Sequence, residues 1–162
     1  MHKDFVKKWN GQVDHDDIVY YLGDLCYKNP EKYISKLNGE IHIIPGNHDK
    51  WIPKVHQGIK TGLVRKLTSA SNKPVMIHGH ICLLKHKDEM LVMCHYPMRS
   101  WPHSHFGSFH LHGHVHKKIA PWGLSMEVGV DNNNGYLYTW QDVKTEMAKL
   151  KHQLKEIKNE KD

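Results

Sequence analysis

No run in the chain approaches the ~20 consecutive apolar residues of a membrane helix, so no span and no membrane partner is expected. The opening Met1-His2-Lys3-Asp4 lacks the apolar core of a secretory leader, and none is expected here. Cysteine is scarce. Cys26, Cys82 and Cys94 are odd in number, far apart and set beside apolar residues. That argues against a disulfide framework and for buried free thiols in a reducing, cytoplasmic compartment. With no Cys-x-x-Cys pair, a thiolate zinc site is not expected either. Internal repeats, low-complexity linkers and RNA- or DNA-binding signatures are also missing. The formal charge of +6 fits an anionic substrate and equally a weak attraction for nucleic acid, though such an excess is more often just a solvated surface; nucleic acid is expected as a partner only in the role of substrate.

The 162 residues suffice for one domain with a real core. Phe5, Val6 and Trp9 predict an amphipathic helix that stops near Asn10-Gly11. Residues 18–22 read as a strand ending at Gly23-Asp24. Asn29-Pro30 reads as a helix start with Asn29 as N-cap; Tyr33, Ile34 and Leu37 form its apolar face, and Gly39 closes it. A strand over 41–44 follows. This order, helix–strand–helix–strand, is that of βαβ units. Residues 50–74 show no clear period. Strands are predicted over 75–77, 81–84, 90–94, 109–111, 125–130 and 136–138, with 85–89 as a hairpin turn and 131–135 as a second turn. Trp140, Val143, Met147, Leu150, Leu154 and Ile157 then make one apolar stripe. Residues 1–139 are therefore read as the domain. Residues 140–162 are read as a C-terminal amphipathic helix, packed on that domain or at a dimer contact, in a monomer or a homodimer.

Histidine is the exception to this spareness. There are 16, seven of them between His95 and His116, neither contiguous nor terminal as a purification tag would be. Four strand ends carry potential ligands. Asp24 follows Leu22-Gly23, and Asn47 and His48 follow Pro45-Gly46. His95 follows Met93-Cys94, and His114 and His116 lie in Leu111-His112-Gly113-His114-Val115-His116. In extended backbone, positions i and i+2 point the same way, so His114 and His116 are expected to reach one site together. Oxygen and imidazole ligands suit Mn, Fe, Zn, Co or Ni. Taken alone, Gly46-Asn47-His48-Asp49 is equally an Asn/Asp/Gly turn. His103, His105 and His110 either line a site or face water. His78 and His80 receive no role.

Gly23-Asp24, Leu37-Asn38-Gly39, Gly46-Asn47-His48-Asp49, His95-Tyr96-Pro97 and Leu111-His112-Gly113-His114-Val115-His116, in that order, resemble the calcineurin-like metallophosphoesterases, above all their small bacterial and phage branch. The resemblance runs from about Trp9 to Asn134. It implies a four-layer α/β sandwich, two mixed sheets flanked by helices, around a dinuclear centre. It further implies that Asp24 bridges two divalent metals, manganese first. Asn47, His95 and His114 would complete one metal, and His116 would bind the other. Hydroxide held between the metals would attack the phosphorus of a phosphate mono- or diester. His48 would protonate the leaving group or stabilise the transition state, with Asp49 holding its tautomer. Arg99 would clamp phosphate or form a surface salt bridge, and His112 would touch substrate or support its neighbours.

The family opens with a strand ending in Asp-x-His, and only Asp14-His15-Asp16-Asp17 comes near that pattern. It reads as a polar turn, so the chain is expected to begin within the first helix. An upstream start or a shortened gene would account for that. Two expectations result: a metal-dependent phosphohydrolase, or a non-catalytic remnant that binds metal or phosphate. Mn-dependent hydrolysis of an aryl phosphodiester separates them. A histidine-rich metal buffer, the third reading, would hold many weakly bound ions.

Overall fold

The computed structural model describes residues 3–52, 67–117 and 119–159. It divides into two compact units, Met1–His80 and Ile81–Asp162. The fold is α/β, with one sheet in each unit.

The first unit opens with α1 (Lys3–Asn10), which buries Trp9 completely. β1 (Ile18–Tyr21), the single turn α2 (Glu31–Ile34) and β2 (Glu40–Ile43) follow, then the short β3 (Met76–Ile77). The three strands are parallel, in the order β1-β2-β3. This first sheet is thus parallel where a mixed one was expected. Both of its connections are crossovers, and a crossover returns the chain to the same end of the sheet. Ile41 and Ile43 point into the core while Glu40 and His42 lie on the other face, the period-2 alternation of a strand. Each such isoleucine stabilises the fold by ~1.5–3 kcal/mol.

α2 starts differently from the expectation. Asn29 is left-handed (φ 55), Pro30 already has helical angles, and no side chain caps the turn. The backbone carbonyls of Asn29 and Pro30 accept its first N–H groups instead. Leu37-Asn38-Gly39 proves to be a joint. Asn38 accepts the Trp9 indole N–H on its carbonyl (3.0 Å), donates Nδ2 to Val13 (3.2 Å), and gives its own N–H to Asn10 Oδ1 (3.0 Å). Gly39 sits at φ +90, and a Cβ there would lie 2.8 Å from Val13 and 2.9 Å from the Asp17 carbonyl. Only glycine fits. Asp14–Asp17 is an exposed turn, as expected. Of residues 50–74, those at 53–66 lie outside the described residues.

The second unit carries β4 (Ile81–His86), β5 (Glu89–Cys94), β6 (Phe109–His112) and β7 (Ser125–Glu127), in that spatial order. β4 and β5 form an antiparallel hairpin that pairs right up to His86 and Glu89, with left-handed Lys87 (φ 54) in the two-residue turn. β5, β6 and β7 are parallel, and every residue of β6 is buried. Tyr136–Tyr138 forms no strand. Asn133 Nδ2 donates to the carbonyls of Tyr136 and Leu137, so those groups are satisfied without a ladder. A 3-10 turn, Val130–Asn133, occupies part of the predicted loop.

α3 (Trp140–Asn159) is opened by a capping box. Thr139 N and Oγ1 each donate to Asp142 Oδ2 (2.7 Å), and Asp142 N donates back to Thr139 Oγ1 (3.2 Å). Val143, Met147 and Leu150 are buried, while Leu154 and Ile157 are exposed. The first half of the stripe therefore packs on its own unit, touching β7. None of the described helices is long and apolar enough to cross a membrane.

Candidate metal centre

Each unit carries part of the expected ligand set at the carboxyl ends of its parallel strands. In the first unit the chain leaves β1 through Gly23 (φ 85) and Asp24 (φ 61). Two successive left-handed residues turn it sharply, and a short polar residue such as aspartate tolerates that conformation. The Asp24 side chain accepts the His48 N–H on Oδ1 (2.7 Å). Gly46 permits this, because a Cβ there would sit 2.3 Å from Asp24 Oδ1. Asn47 is exposed at the tip of the turn, and His48 is half-buried with its ring against Tyr27 (4.7 Å).

Asp49 does something other than orient His48. Its carboxylate is buried and accepts four hydrogen bonds: Asp24 N (2.7 Å) and Gly46 N (3.0 Å) on Oδ2, Leu25 N (3.1 Å) and Trp51 Nε1 (3.1 Å) on Oδ1. A carboxylate has about four acceptor positions, and all are taken by partners other than the imidazole. Asp49 is a latch that ties the loop after β1 to the loop after β2. Nearby Cys26 is pushed up to about 11 by burial and then by the Asp49 charge, so it stays a neutral thiol at neutral pH. No disulfide joins the three cysteines.

In the second unit His95 follows β5 directly and is buried; its carbonyl accepts the Gly113 N–H (3.0 Å). That bond joins the ends of β5 and β6 and brings the two rings together. His95 Nε2 lies 3.1 Å from His114 Nδ1, and Tyr96 packs on both. Two imidazole nitrogens at ~2.05 Å from one ion and 3.1 Å apart subtend ~98°, between the tetrahedral and octahedral limits of first-row metals. This donor pair fits a divalent cation.

His114 and His116 are not extended. β6 ends at His112, and Val115 N donates to Gly113 O (2.9 Å) across His114 at φ 72, a γ-turn; His116 is at φ 51. The i, i+2 strand rule therefore does not govern them. His116 Nδ1 donates to Asp131 Oδ2 (2.6 Å), which places the lone pair on Nε2. Asp24, His114 and His116 all hold left-handed backbone, a conformation that concentrates at functional sites.

The expected substrate contacts, Arg99 and His112, both lie in the second unit. Arg99 lies over the Trp122 ring (4.1 Å) and has no carboxylate partner among the described residues. His112 is buried, and burial lowers it to about 4, so at neutral pH it offers no positive charge to a phosphate. His110 is a core residue. It donates Nδ1 to the Val92 carbonyl (3.0 Å) and accepts the Met98 N–H on Nε2 (3.1 Å), a fixed neutral tautomer. His103 and His105 are exposed.

No protein-family model matches the sequence. The chain is 38% identical over 92 residues to MJ1445, an uncharacterized protein of Methanocaldococcus jannaschii; the match covers 49% of this chain and 52% of that protein. It thus spans about half the length of that relative. In fold the chain resembles AQ665 of Aquifex aeolicus, a crystal structure of a protein of unknown function, with a TM-score of 0.63, 16% identity and coverage of 90% of this chain and 86% of that one.

Two groupings escaped the sequence reading. Glu40 Oε1, His42 and His78 form a hydrogen-bonded chain, with 2.9 Å at each link, beside the Tyr20 ring. The i, i+2 spacing of Glu40 and His42 signalled a shared face. Nothing in the sequence signalled His78, which reaches them through strand pairing. Tyr27 and Tyr33 meet at a cleft beside Asp24.

Proposed function

We propose that the chain is a metal-dependent phosphohydrolase with a four-layer sandwich fold, hydrolysing a phosphate mono- or diester. The observation that supports this best is the pair His95 Nε2 and His114 Nδ1, 3.1 Å apart at the ends of adjacent parallel strands. In this reading Asp24 and Asn47 of the first unit, and His95, His114 and His116 of the second, would be the ligands of two divalent metals, manganese first. Bound, the two cations supply Lewis acidity and a nucleophile active at neutral pH. The protein does the rest. Asp24 would contribute a carboxylate ligand, on a loop held in place by the latch of Asp49. Asp131 fixes the tautomer of His116. His48 donates a proton to the leaving oxygen, from a ring exposed enough to recover it from water.

Metal content and hydrolysis of bis(p-nitrophenyl) phosphate with and without Mn test the reading. His95→Ala and His114→Ala should lose metal and activity together. His48→Ala should keep its metal while turnover falls by about two to four decades. A wild-type chain that binds no divalent ion, or a His114→Ala variant with normal metal content, would refute the proposal.

A further inference from the structure

The loop that carries Asp24 also shapes a cleft of about 410 Å³, lined by Asp24, Cys26, Tyr27, Lys28 and Tyr33 among others. All of them belong to the first unit, and the cleft reaches Asp24 itself. Inorganic phosphate needs only a small part of this open cleft, which leaves room along its walls for a larger molecule. The walls are specific in kind. Tyr33 stands half-buried on α2, and Tyr27 is 70% exposed with its ring 4.7 Å from that of His48. Exposure of a large aromatic ring at a cleft mouth, held against a neighbouring ring, offers a flat surface at little entropic cost. Lys28 adds a positive charge on the same cleft, and the chain carries a formal +6. Aromatic walls call for a planar ring, and the cation calls for an anion. One small molecule that has both is a nucleoside phosphate.

We infer that this cleft binds the base of a nucleotide, with Tyr27 and Tyr33 as the stacking residues, so that the substrates of the site are nucleoside phosphoesters. The inference rests on the phosphohydrolase reading for the placement of the phosphate near Asp24, and names the substrate class of that site. A base stacked on tyrosine gains the kind of contact that single-strand binding proteins use for any base, which predicts a preference for nucleotides over sugar phosphates without strong choice among bases.

The test is calorimetry on the full chain with Mn, comparing 5′-AMP with ribose 5-phosphate, which shares everything but the base. The 5′-AMP should bind about 5- to 100-fold tighter. Tyr27→Leu should bring that ratio close to one, and Tyr27→Phe, which keeps the ring, should preserve it. Tyr27 is exposed enough for leucine to be tolerated, and a circular-dichroism melt checks this. Equal binding of the two probes by the wild type overturns the inference. So does a ratio that survives both Tyr27→Leu and Tyr33→Leu. Tyr27-dependent preference for 5′-AMP in a chain that hydrolyses no phosphoester would keep the cleft assignment and defeat the phosphohydrolase reading.

Discussion

Replacing Asp49 by asparagine changes one oxygen to an NH2 group and leaves the shape of the side chain unchanged. In the wild type Oδ2 accepts from the amides of Asp24 and Gly46, and Oδ1 from the amide of Leu25 and the indole of Trp51. Whichever way the new amide is turned, its NH2 faces two donors. Two hydrogen bonds to a charged group are lost, each worth ~1.5–3 kcal/mol, so the cost is ~3–6 kcal/mol before any repulsion between facing donors. Domains of this size have ~5–15 kcal/mol in all. Asp49→Asn should therefore lower the urea midpoint by ~1.5–3 M for a slope near 2 kcal/mol/M. The assay is urea denaturation of the metal-free protein followed by tryptophan fluorescence, with Trp51 as one of the reporters. A midpoint within ~0.3 M of wild type, with turnover alone reduced, would refute the latch and return Asp49 to the role of orienting His48.

Gly46→Ala should be costly for a related reason: its Cβ would lie 2.3 Å from Asp24 Oδ1 and 2.7 Å from Asp24 N, neither of which can retreat without opening the turn. Overpacking of this kind costs ~1–3 kcal/mol, and Mn affinity measured by calorimetry should fall with it; wild-type stability and Mn affinity together would contradict the geometry. Acid should weaken the metal-free fold. Burial lowers His78, His110 and His112, the last to about 4, so the native state binds fewer protons than the unfolded chain, in which histidine titrates near 6.5. Stability contributed by these groups is present at neutral pH and is lost as pH falls from about 6.5 towards 4, with His112 accounting for at most ~3 kcal/mol. Urea midpoints that stay flat between pH 7 and pH 4.5 would show that these rings are hydrated in solution.

Much of the local structure was legible because it is set by residues close in sequence. The apolar runs before Gly23 and Pro45 announced β1 and β2, Asn10-Gly11 ended α1 as expected, and the 3-4 spacing after Thr139 drew α3. The order of Asp24, Asn47, His95 and His114 at strand ends was equally visible, since each follows a short apolar run. What the sequence left open was decided by partners distant in the chain. Asp49 reads as the neighbour of His48, yet its hydrogen bonds run to Asp24 and Leu25, 25 and 24 residues away. Tyr136–Tyr138 has the composition of a strand, but the amide of Asn133 takes its carbonyls first. His114 and His116 have strand spacing, but the bond from Val115 to Gly113 folds them out of the strand. His110 and His116 look alike in the sequence; one is sealed in the core between Val92 and Met98, and the other meets Asp131 at the surface. Periodicity tells which face a residue takes within its own element. Only the packing of one element on another decides which donors and acceptors it meets there, and that determines whether a histidine or an aspartate pairs at the surface, ties two loops together or is sealed in the core.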